Sequence, residues 1–251
     1  MKKRILINLI FPFITLAVLI IIWAVAAKAT NSELLLPSPL STAKRLGGVF
    51  GDNSFYLSLW WTIKRTLWSF VISFVAAFFA AGLTAIIPNS ESFVKPILYI
   101  VRCLPTMAVV LLFIIWTDSS KTPILVSILV LFPMMYSSFV VSLKETDRDL
   151  IETAKVFGAN KFQLLKTVYL PKLMPTLVDS TASGLSFGLK VVVSAEVLAQ
   201  SFNSIGWLMQ ESRLQFDTAR LMALTVAVVA LCMIIEIVIR GVGKNLYKWH
   251  M

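Results

Sequence analysis

The sequence predicts an all-α membrane protein with six transmembrane helices. Composition is the first observation behind this: 58% of the 251 residues are hydrophobic and only 14% are charged, against roughly 25% charged in an ordinary soluble domain. Mean hydropathy is +0.83. The second is pattern. The apolar residues fall into runs near the ~20 residues that cross a bilayer core as helix. The third is where the breaks fall, at short segments that carry the prolines and charges.

The first run spans 5–27, after Lys2, Lys3 and Arg4. At 1.5 Å per residue it extends about 35 Å. Ala24 to Ala29 resembles a signal-cleavage site, but the run exceeds the ~7–15 apolar residues of a signal peptide. It therefore reads as a retained span, with Pro12 as a tolerated kink. Pro37 and Pro39 then stop the helix. Residues 41–50 are expected to form a short amphipathic helix on the membrane surface, with Leu46, Val49 and Phe50 on one side.

A second span is predicted over 60–87, with Trp60, Trp61 and Trp68 at an interface and Lys64 and Arg65 near its outer end. The third covers 96–117, with Arg102 and Pro105 inside it. A polar turn at 117–122 leads to a fourth span, 123–143, containing Pro133. The polar stretch 144–175 follows, then a fifth span at 177–198, a polar interval at 199–219 and a sixth span at 221–239. Residues 1–56 form an N-terminal span plus external segment, and 57–251 a five-span domain.

The net charge of +10 suits nucleic acid only in a chain with a soluble basic domain, and none is present. Here the basic residues set orientation. With the N-terminus cytoplasmic, thirteen of the 23 Lys and Arg residues fall on inside segments, six outside and four within spans. That places both termini and the 144–175 stretch in the cytoplasm. Cys103 and Cys232 each lie in an apolar run and read as small hydrophobes. The single histidine, His250, leaves no His-based metal cluster or triad, and no catalytic residues are assigned. Gly243-Lys244 is followed by Asn245, with Val238 where the first glycine of a phosphate-binding loop belongs, so the chain has no ATP site of its own.

The stretch 144–175 is built for water. Thr146-Asp147-Arg148-Asp149 is a capping-box-like start with acids in the first turn. Leu150, Ile151, Ala154 and Phe157 share a helix face, and Gly158 stands where a helix ends. Asn160 can cap a second helix, with Gln163 three residues on. Phe162, Leu165 and Tyr169 continue it, and Pro171 is expected to stop it. The plain reading is a loop that covers helix ends.

Within the stretch, Glu152-Thr153-Ala154, then Gly158, then Val168-Tyr169-Leu170-Pro171 after nine residues, resembles the "EAA" loop of ABC importer permeases. Leu36-Pro-Ser-Pro39, Arg102-Cys-Leu-Pro105, Phe132-Pro133, Ala195-Glu196 and Ile205-Gly206 are similar to the nitrate/sulfonate/taurine group of that family. The chain departs from the group in having no further proline between Pro105 and Thr117, and Thr117-Asp118 rather than a glycine after span three. The resemblance implies a type I ABC importer permease (MetI-like) fold in the bacterial inner membrane. It also implies a partner cytoplasmic ATPase that holds the ATP, a second permease copy and an extracytoplasmic solute-binding protein. Glu152, Thr153, Ala154, Gly158, Val168, Leu170 and Pro171 would then couple the spans to the ATPase. The implied solute is a small anion such as nitrate, a sulfonate or taurine, with a vitamin precursor such as a thiamine pyrimidine as the alternative. A secondary transporter or channel working without an ATPase is the other class.

Deep within the predicted spans lie Arg102 in the third, Lys190 and Glu196 in the fifth and Glu236 in the sixth. Charges at such depth are costly and face protein or water. Lys190, Glu196 and Arg102 are the candidates for a solute path, against internal pairing or snorkelling to an interface.

Overall fold

The structure, a computed structural model, describes residues 2–87, 89–146 and 148–247. Asp147 and Lys248 lie outside them, as do the side chains of Arg148, Phe162 and Leu165. Among the described residues there are only helices and the turns that join them. Helices α1 (Lys2–Thr30), α2 (Pro39–Phe50), α3 (Asn53–Ile86), α4 (Ser90–Cys103), α5 (Thr106–Trp116) and α6 (Thr122–Lys144) lead to the short α7 (Arg148–Val156) and α8 (Lys161–Leu164). A π turn, Leu165–Tyr169, then enters α9 (Leu170–Ala199), followed by α10 (Ile205–Leu214) and α11 (Thr218–Tyr247).

Five helices are long and apolar enough to cross a membrane: α1, α3, α6, α11, and α9 with its π turn. The predicted third span is instead two helices, α4 and α5, bent by 93° where they meet; counted as one broken span, the pair makes six. Pro105 is the cause. It lacks an N–H and pushes Leu104 into extended backbone (φ −66°, ψ 126°). Arg102 secures the bend by donating to the Pro133 carbonyl at 2.8 Å and to the Ser137 hydroxyl of α6.

Helices α3, α6 and α9 form the centre of the bundle. Phe70 and Ala77 of α3 pack with Leu131, Met135, Tyr136 and Phe139 of α6. Gly184 lets α9 approach this pair. A Cβ there would sit 3.2 Å from the Phe70 ring and closer still to Met135, the small-residue packing that membrane helices use in place of a hydrophobic drive. A second core joins α9, α10 and α11 with Val49 of α2 and Phe55 of α3.

Two expectations about the outer segments change. The 41–50 helix begins at Pro39, capped by Ser38, whose hydroxyl accepts from the Ser41 N–H at 3.2 Å. It does not simply lie on the membrane surface, because Val49 is buried in the core beside Leu224 and Leu46 packs against that core. The interval 199–219 holds a true helix, α10, with Ile205, Leu208 and Met209 buried. Pro171 does not end the second loop helix either. It occupies the first turn of α9, where a missing N–H is tolerated. It offers no N–H to the Thr167 carbonyl, and the π turn that precedes it absorbs that mismatch.

Candidate functional site

The polar loop at 144–175 has the local form its residues dictate. Helix α7 closes at Gly158, which takes φ +78°, a left-handed conformation open to glycine at little cost. The Phe157 N–H bonds the Thr153 carbonyl at 3.1 Å and the Ala159 N–H reaches back to Ala154 at 3.0 Å, closing the helix end. Asn160 and Gln163 then cap reciprocally: the Asn160 N–H donates to Gln163 Oε1 and the Gln163 N–H to Asn160 Oδ1, both at 2.8 Å. Two rigid helical pieces therefore meet at one glycine.

These pieces are scarcely covered by the rest of the chain. Val156 and Phe157 are each 85% exposed, and Leu150 is 58% exposed. Glu152 and Thr153 point to solvent, while Ala154 and Val168 are half-buried. Leu170 and Pro171 are exposed at the start of α9. Behind this face the loop is anchored by buried Leu164 and Leu173 and by the Thr176 hydroxyl, which donates to Ser142 of α6 at 2.9 Å.

A second constellation lies at the opposite end of α9. Glu196 is fully buried and accepts from Arg65 Nη1 at 2.8 Å. The Thr62 hydroxyl sits 2.9 Å from Glu196 Oε2, and the Gly206 N–H donates to the same oxygen at 3.3 Å. Thr62 Oγ1 also accepts from the Ile205 N–H at 3.0 Å. One carboxylate thus meets a guanidinium and the N-terminus of α10 together, joining α3, α9 and α10. Gly206 permits this approach: a Cβ there would come within 2.6 Å of the Val197 nitrogen. Arg65 was expected near the outer end of its span; here it is inside the protein, with its other amino group 3.4 Å from the Phe202 carbonyl.

The three charges considered for a path therefore occupy different settings. Glu196 is sealed with Arg65, Arg102 is bound to α6, and Lys190 is uncovered on α9. The sequence marks Arg65 and Glu196 as in-span charges of opposite sign, but nothing in their spacing pairs them. Among the described residues no group of His, Cys, Asp and Glu is placed to hold a metal ion.

Comparison with known proteins agrees with this architecture. The family model of the binding-protein-dependent transport system inner membrane component matches residues 73–248. The taurine transport system permease protein TauC of Escherichia coli is 27% identical over 246 residues, covering 94% of this chain and 88% of the relative. The riboflavin transport system permease protein RibX of Chloroflexus aurantiacus is 28% identical over 240 residues, covering 94% and 89%. Among solved structures, a chain of the inward-facing MetNI methionine ABC transporter superposes with a TM-score of 0.67 at 19% identity, covering 76% of this chain and 95% of that one. With a family match over most of its length and the MetI-like fold, the chain belongs to the binding-protein-dependent transport system inner membrane components, and is a multi-pass permease subunit of an ABC importer.

Proposed function

We propose that this permease pairs with a second copy of itself and is driven by cytoplasmic ATPases docked on the 144–175 loop. An extracytoplasmic solute-binding protein feeds it, and both termini face the cytoplasm. The ATP sits on the partner, and the chain itself performs no catalysis. The observation that supports this best is the loop's exposed apolar edge. Val156 and Phe157, each 85% exposed, stand at the end of a short helix closed at Gly158 by backbone hydrogen bonds, the form of a helix that seats in a groove of a partner. Glu152, Thr153, Ala154 and Gly158 belong to the docking piece. Val168, Leu170 and Pro171 join it through the π turn to α9, so a push on the loop reaches the spans.

The solute is a small anion of the nitrate, sulfonate or taurine kind. The taurine relative supports this, and Lys190 supplies an uncovered positive charge on α9. The riboflavin relative, of like identity, favours a second reading, a vitamin or vitamin precursor. Gly158→Pro is expected to abolish ATP-dependent uptake while the chain still inserts in normal amount; full transport by that variant sinks the coupling role. Stimulation of ATP hydrolysis by taurine and nitrate, but not by riboflavin, separates the two solute readings.

A further inference from the structure

Helix α9 carries five residues at i, i+4, i+8, i+11 and i+15 that the rest of the protomer leaves wholly or partly uncovered: Asp179, Ser183, Phe187, Lys190 and Ser194. This spacing keeps them on one stripe of the helix. The neighbouring faces are closed. On one side Ser186 donates to the Cys232 carbonyl of α11 at 3.1 Å. On the other, Val191 and Leu198 pack with Val109 and Val110 of α5. Four of the five stripe residues are polar, on a helix that spans the membrane. Lipid is a poor neighbour for such a surface, since ionisable groups at this depth face protein or water.

The stripe has one free charge, and it is positive. Asp179 is already engaged by Arg240 Nη1 at 3.0 Å, and Arg240 also pairs with Glu236 at 2.9 Å. Lys190 has no ion-pair partner among the described residues. It stands 11 residues from Asp179, about 16 Å along the axis, too far for one small solute to touch both. The serine hydroxyls on the stripe donate within the helix, Ser183 to the Asp179 carbonyl at 2.6 Å and Ser194 to the Lys190 carbonyl at 2.9 Å. Their lone pairs are what remains to face outward, so the Lys190 ammonium is the one strong donor there.

We infer that this stripe is the chain's wall of a water-filled solute path, and that Lys190 receives the acidic group of the solute. This rests on the importer reading above and narrows its solute to a small molecule bearing a strong acid, such as a sulfonate.

Single cysteines at Ser183→Cys and Ser194→Cys, in a Cys103→Ser background, test it in membranes holding the whole transporter. The probe is the impermeant sulfonatoethyl methanethiosulfonate, with its trimethylammonium analogue for comparison. Ile234→Cys is the control, because it lies about 200° around α11 from Cys232 and is exposed. Both serine sites are expected to react and the control to stay inert. Lys190→Gln should lower the anionic-to-cationic rate ratio at Ser194→Cys by about tenfold. Serine sites as inert as Ile234→Cys, or a ratio indifferent to Lys190→Gln, overturn the proposal. Labelling in this pattern, in a transporter whose ATP hydrolysis no sulfonate or nitrate stimulates, supports the path and sinks the sulfonate assignment. Inert sites in a transporter that takes up taurine do the reverse.

Discussion

The C-terminal end of α9 is fastened by charge: Glu196 is sealed against Arg65, Thr62 and the Gly206 N–H of α10. The N-terminal end is joined through a π turn to a loop whose apolar edge lies open. The C-terminal constellation satisfies its own polar groups. The N-terminal one is capped at its helix break, but Val156 and Phe157 are left uncovered. A helix held this way has a fixed end and a handled end. A substitution at the fixed end should act on stability, and one at the handled end on coupling.

Glu196→Ala is the largest test of this contrast. It leaves Arg65 buried without its partner, and breaking such a pair costs about 3–5 kcal/mol. Thermal unfolding of the purified transporter should show the loss, and Arg65→Met together with Glu196→Leu should recover most of it. Glu152→Ala on the exposed loop should leave the melting temperature unchanged and lower uptake, which cell-based transport would read. Equal loss of stability in both variants would erase the distinction.

Gly206→Val comes next. Its side chain would meet the α9 backbone at Glu196 and Val197, so overpacking of about 1–3 kcal/mol is expected, again measured by melting. Asn160→Ala removes one half of a reciprocal cap, worth ~1 kcal/mol. Hydrogen exchange should quicken in α8 and the π turn and remain unchanged around Glu196.

The smallest effect concerns pH. Burial pushes the Asp217 carboxyl up, but hydrogen bonds from Arg45 and the Arg220 N–H, with both positive charges, outweigh it and hold it below 3.8. Hydrogen bonds from Ser54 likewise hold Asp52 low. A depressed carboxylate stabilises the fold above its ordinary value and ceases to do so as pH falls through the lowered one. Melting temperature should therefore fall below about pH 4, and Asp217→Asn should blunt that fall slightly, by less than about 1 kcal/mol for so exposed a pair. An unchanged acid profile in the variant would rule out the Arg45–Asp217 pair as a source of acid sensitivity.

What the sequence made legible divides along the same line. The first loop helix, the stop at Gly158 and the Asn160–Gln163 cap are local matters, settled by residues within a turn of one another, and the structure follows them, whereas the second loop helix runs past Pro171 into α9. The prolines were harder. Pro96, Pro133 and Pro175 lie inside unbroken helices, whereas Pro105 breaks the third span. The difference lies in neighbours such as Arg102, which reaches across to α6, and those follow from tertiary packing. Arg65 and Glu196 are 131 residues apart. Each was visible as a charge in an apolar run, but their meeting depends on how α3 and α9 cross.

The π turn at Leu165–Tyr169 has a geometric consequence beyond joining loop to span. It works as a phase shifter. An extra residue in a helical turn rotates everything after it by about 100° relative to what came before. The azimuth at which Lys190 stands is therefore set, relative to the loop helices, by one residue more than 20 positions away. Deleting a single residue there would turn the loop helices by about 100° relative to the packed face of α9.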